Sequence, residues 1–68
     1  MRRFTLVRYA DISGVSGTGV VAEGVEFSSG MVALNWAGRL SSMAFYFSMS
    51  DLLRVHGHEG ASDILWLD

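Results

Sequence analysis

Residues 12–24, "ISGVSGTGVVAEG", hold four of the chain's eight glycines and two serines, a composition that suits a loop wrapped around phosphate. A nucleoside-triphosphate loop also needs a lysine and a hydroxyl residue directly after its second glycine. Gly14 and Gly19 have the required spacing, but Val20 and Val21 stand where those phosphate- and Mg²⁺-binding groups belong. Gly17, Gly19 and Ala22 satisfy the dinucleotide spacing, whose mechanism requires a helix to start there and aim its N-terminus at the pyrophosphate. The following "VVAEGVEF" is strand-like, and 68 residues cannot hold a doubly wound fold. Both matches fail on context. What survives is an anion nest in which Ser13, Ser16, Gly17, Thr18 and Gly19 supply hydroxyls and backbone N–H groups, with Arg8 and Arg39 as counter-charges. An ordinary connector is the favoured alternative.

The second chemical stretch is "RVHGHEG" (54–60), where His56, His58 and Glu59 offer the ligand types of a metal site. Two histidines flanking one residue at a helix stop are not a specific spacing, and no distant third ligand accompanies them. His56 falls on an apolar stripe, so a hydrogen-bonded core histidine is the simpler reading. For hydrolysis, no serine sits in a recognisable nucleophile setting beside a histidine and an acid. Glu23 and Glu26 are three apart on a strand, which sends them to opposite faces unless a bulge intervenes. We therefore expect no catalysis, no metal and no cofactor.

The elements that must position these residues are mostly strands. "RFTLVRY" (3–9) alternates Phe4, Leu6 and Arg8 against Thr5, Val7 and Tyr9. "VVAEGVEF" (20–27) places Val21, Val25 and Phe27 on its apolar face, and strict alternation adds Glu23 to them. A bulge near Gly24 is the expected remedy. "SSG" (28–30) turns the chain into "MVALNW" (31–36), with Val32, Leu34 and Trp36 on one side. "MAFYF" (43–47) is apolar on both faces, which predicts a central strand or one covered on its second face. In "SMSDLLRVHGH" (48–58), Met49, Leu52, Leu53 and His56 follow helical spacing. Ser48 has capping-box spacing to Asp51, Ser50 competes as N-cap, and Gly57 fits a left-handed terminator. "ASDILWLD" (61–68) closes as a fifth strand. The order β-β-β-β-α-β predicts a mainly β domain, a small curled antiparallel sheet or open barrel with one short helix.

The totals limit what such a domain can be. A single domain spans residues 1–68, half of them hydrophobic, and a core this small needs reinforcement. There is no cysteine, which excludes disulfides and thiolate metal sites and leaves self-association as the expected supplement. The net charge is −2, with five arginines and no lysine. That balance argues against nucleic acid, because phosphate neutralisation needs a basic surplus. Arg2, Arg3 and Arg8 still make a local basic corner, which reads first as charge guarding an edge strand. The N-terminal apolar stretch ends at Val7, too short for a signal peptide, and no run approaches the ~20 apolar residues that span a bilayer. A soluble cytoplasmic protein is expected. The aromatic complement, including Trp36, Trp66, Phe45, Tyr46 and Phe47, is core by default and an association surface where left exposed.

The stretches "RFTLVRYADISGVSGTGVVAEGVEFSSGMVALNW", "VHGHEGA" and the terminal "WLD" resemble a group of short uncharacterised proteins from actinobacteria and their phages. The middle segment, "AGRLSSMAFYFSMSDLLR", departs more from that pattern. The resemblance implies a cytoplasmic accessory protein of phage type and carries over no site residue. The sequence thus points to a non-catalytic binding or interaction module, homodimeric or larger, acting on a host or cellular protein. The alternative is a protein that sequesters a small nucleotide-like anion in the glycine-rich loop 13–19 or at a subunit interface.

Overall fold

The computed structural model describes residues 1–9, 19–38, 41–57 and 62–68. It contains β1 (Arg2–Arg8), β2 (Gly19–Glu26), β3 (Val32–Trp36), β4 (Met43–Tyr46), α1 (Met49–His56) and β5 (Ser62–Trp66). The five strands form one antiparallel sheet in the order β4-β3-β2-β1-β5. The fold is mainly β with one short helix, and the sheet stays open, with β4 and β5 as its edges.

Alternation along β1 sets the two faces. Phe4, Leu6 and Arg8 are buried on one side, as their spacing predicts. Cross-strand rows extend that side: Phe4 pairs with Gly24 and Trp66, Gly24 with Leu34, and Leu6 with Ala22 and Ile64. Phe4, Leu6, Val21, Ala22, Val32, Leu34 and Leu52 make the core, with Trp36, Met49, Leu53 and Trp66 packed against it. Gly24 is there to admit the Phe4 ring. A Cβ at this position would lie 2.5 Å from Phe4 Cζ and closer still to the Ala33 carbonyl oxygen.

The bulge is real but displaced from its expected place. Leu6 pairs with Ala22 and Val7 with Val20, so Val21 is the extra residue. Val21 and its neighbour Ala22 are consequently both buried. The Val21 carbonyl accepts from Ala37 N–H at 2.9 Å, which ties the end of β3 to the bulge. Past the bulge, Glu23 and Val25 fall on the face opposite Phe4, and Glu26 on the same face as Phe4. The expected grouping of Val21 with Val25 and Phe27 on one apolar face is therefore wrong, because alternation resets at Val21 rather than at Gly24.

The β2–β3 turn follows the predicted chemistry. Phe27 N–H donates to Met31 O, Gly30 N–H donates to Phe27 O, and Gly30 takes φ +92°, a region that glycine enters without steric cost.

α1 begins at Ser48, whose extended backbone and Oγ, accepting from Asp51 N–H at 3.1 Å, make it the N-cap in preference to Ser50. The helix ends at Gly57 as expected, but Gly57 is right-handed at φ −70° rather than left-handed, and its N–H donates to Leu53 O. Because β4 and β5 are opposite edges, the chain must cross the whole sheet between them. α1 makes that crossing over the Phe4 face, and Leu52 is driven fully into the core.

Candidate functional site

Among the described residues, one face of the sheet is covered and the other is open. The side chains that alternate with the core ones, including Thr5, Glu23, Val25, Asn35, Met43 and Phe45, share the open face. Large apolar groups stand in water around it: Phe45 is 68% exposed, Met43 and Leu65 each 58%, and Leu67 52%. Phe47, just beyond β4, is 80% exposed. The expectation that "MAFYF" is central or covered is overturned. β4 is an edge strand, α1 packs on the Tyr46 side, and no described residue lies over the alternate ones.

A groove of about 360 Å³ runs over this open face, lined by Arg3, Glu23, Val25, Asn35, Met43 and Leu67 among others. Thr5, Glu23 and Asn35 form a polar row across three strands in direct register, and Glu23 and Asn35 of that row line the groove. Thr5 Oγ1 is buried and has no hydrogen-bond partner among the described residues. At one end of the groove, Arg3 is locked to Asp68. Its backbone N–H and Nε each donate to Oδ2 at 2.9 Å, and Nη2 donates to Oδ1 at 2.7 Å. The Arg3 guanidinium holds the Asp68 carboxyl well below the usual carboxylate range, and the same contacts raise Arg3 further. With Arg3 neutralised by Asp68, Glu23 and Asp63 leave the open face acidic.

The three N-terminal arginines do not converge. Arg2 stacks on Trp66, its Cζ 3.8 Å from the ring centroid, and Arg3 lies on the open face. Arg8 is buried at the far end of β1, where Nε donates to Ser62 Oγ at 3.1 Å. Of the expected anion nest, Gly19 opens β2 with φ +84° beside Arg8, and the segment after it is strand, not the helix a dinucleotide site needs. Ser13, Ser16, Gly17, Thr18 and Arg39 lie outside the described residues, as do His58 and Glu59.

His56 sits in an aromatic corner. Tyr46 Oη is 2.5 Å from His56 Nε2, and the imidazole packs edge-on against Trp36, with centroids 4.8 Å apart. Burial pushes the Tyr46 hydroxyl above its ordinary value. His56 is thus hydrogen-bonded, as its stripe position suggests, but half-buried at the rim of the core rather than within it. Among the described residues, no group of three His, Cys, Asp or Glu side chains could hold a metal ion. No helix among them is long and apolar enough to cross a membrane.

Sequence reasoning missed the open face as a unit. Alternation identifies Thr5 and Asn35 as sharing the face opposite their strands' core residues, but it groups Glu23 with the apolar face of its own strand. Only the bulge at Val21 and the strand order bring the three into one row. Comparison with curated proteins and with solved structures finds no match. A family model described as "Acb5 phage protein" matches residues 1–68, and the chain belongs to that family.

Proposed function

We propose that this small phage protein is a non-catalytic interaction module, a homo-oligomeric accessory protein that acts by binding a host protein. The observation that carries the reading is the uncovered sheet face, with exposed Phe45, Met43, Leu65 and Leu67 around a groove that Glu23 and Asn35 also line. Monomers seldom leave a contiguous apolar face open unless something binds it. Its acidic balance favours a partner surface that combines apolar and basic groups. Immobilised protein and a Leu65→Glu/Leu67→Glu variant of equal fold, offered to host extract, test this. A discrete host protein retained by the first and lost from the second supports the reading. Equal retention, or none, removes it.

A second reading draws on Arg8. It is buried beside Gly19, and among the described residues no carboxylate lies within salt-bridge distance of it. An anion held by loop 13–19 would supply the missing charge. Gently purified protein carrying an extra mass in native mass spectrometry, lost in Arg8→Gln, would favour sequestration of a small nucleotide-like anion.

A further inference from the structure

The two edges of the sheet are treated differently. On β5 the Asp63 carboxylate accepts from Ile64 N–H at 2.8 Å, placing a negative charge and a side-chain acceptor on the edge. Such devices prevent another strand from docking. β4 has neither, and residues 41–50, which include the whole strand, contain no charged side chain.

The ladder phase shows which groups β4 offers. Trp36 N–H donates to Ser42 O at 2.9 Å, so in the same register Leu34/Ala44 and Val32/Tyr46 are the hydrogen-bonded pairs with β3. Met43 and Phe45 therefore turn their N–H and C=O outward. These are also the residues whose side chains stand in water, with Phe47 next to them. Backbone and side chains thus offer one continuous, uncharged docking strip.

We propose that β4 pairs antiparallel with β4 of a second copy about a twofold axis at Ala44, extending the sheet through the dimer. Met43 of each copy exchanges both N–H···O bonds with Phe45 of the other, and the two Ala44 residues face each other as the non-hydrogen-bonded pair. The strip is self-complementary, as an isologous contact requires. A buried phenylalanine removes about 150–250 Å² from water, so the exposed Phe and Met side chains of two copies approach the ~1,000 Å² of a small specific interface. Charge favours this arrangement over stacking of two open faces. Edge pairing separates the Glu23 carboxylates by five strand spacings, roughly 24 Å, beyond the screening length. Face-to-face stacking would press acidic surfaces together. The inference rests on the homo-oligomeric part of the proposed function and leaves the Leu65 and Leu67 side of the open face to the partner.

The test combines mass with geometry. Sedimentation of the intact protein over a dilution series should give twice the chain mass. Phe45→Pro removes an outward donor while sparing every bond to β3, and should raise the dimer dissociation constant by about a hundredfold. Phe45→Lys should act likewise if proline disturbs the strand. Ala44→Cys, which introduces a single cysteine into the chain, should form a disulfide between copies, since such paired Cα atoms lie about 4.5 Å apart. Leu65→Cys on the other edge should not. A dimer that survives both Phe45 variants and gives no cross-link in the Ala44→Cys variant overturns the β4 interface and leaves self-association standing. A monomer at every concentration overturns both.

Discussion

Gly24 shows how one side chain's absence decides a core. The Phe4 ring and the Ala33 carbonyl occupy the space a Cβ needs, and the carbonyl belongs to a paired strand that cannot retreat. Gly24→Ala should cost about 1–3 kcal/mol, the usual range for overpacking, and urea unfolding will measure it. Tyr46 makes the second prediction at this scale. Its hydroxyl ionises at higher pH in the folded chain than the ordinary 10.0, so the unfolded chain loses that proton first. Stability should therefore hold below pH 10 and fall as pH rises through the folded value. Tyr46→Phe should flatten that alkaline limb while losing about 1 kcal/mol at neutral pH with the His56 hydrogen bond.

At the scale of elements, α1 is a short helix that owes its existence to its cap and its contacts. Its eight residues are too few to be helical alone, and Leu52 is the one among them that is fully buried. Ser48→Ala should cost about 1 kcal/mol through the lost Asp51 N–H acceptor. Leu52→Ala should cost about 2–5 kcal/mol through the cavity it opens. Because α1 roofs the core, Leu52→Ala should also bind a hydrophobic dye more strongly than Ser48→Ala does. These residues are legible in the sequence: the Ser48/Asp51 spacing marks the start, and Met49, Leu52, Leu53 and His56 mark the inward stripe. The bulge is legible only as a need. A carboxylate at Glu23 on an alternating strand demands a reset, but β2 offers several places for it. Packing chooses Val21, where two consecutive buried residues fit against Leu6 and the carbonyl is taken up by Ala37.

For the whole molecule, the open sheet explains why so many apolar residues remain in water. One short helix covers one face of five strands, and nothing in the described chain covers the other. Self-pairing through β4 takes up Met43 and Phe45, so the part of the open face left to a partner is the Leu65 and Leu67 side, at the opposite edge. Leu65→Glu/Leu67→Glu should therefore lose partner retention while keeping the dimer. The Arg3–Asp68 pair closes the N- and C-terminal ends of the sheet against each other. Since its carboxyl titrates below the ordinary range, that contribution is complete above ordinary carboxylate values and fades as acid protonates Asp68. Both side chains are exposed, so the effect should be small and should shrink further in high salt.

The local facts follow from the residue order alone: five strands and one helix in succession, the inward and outward sets along β1 and β3, the glycine turn at Gly30 and the capped start of α1. Each depends on residues within a few positions of one another, where periodicity and turn chemistry act directly. The same residues exclude thiol chemistry and the two phosphate-loop readings of the glycine-rich stretch. Strand order had to come from the folded molecule. With it came the edge position of β4, the single row of Thr5, Glu23 and Asn35, and the separate partners on which the three arginines are spent. A period of two states which residues share a face of one strand. It does not state which strand lies beside it or which face the helix will cover, because those follow from long-range packing.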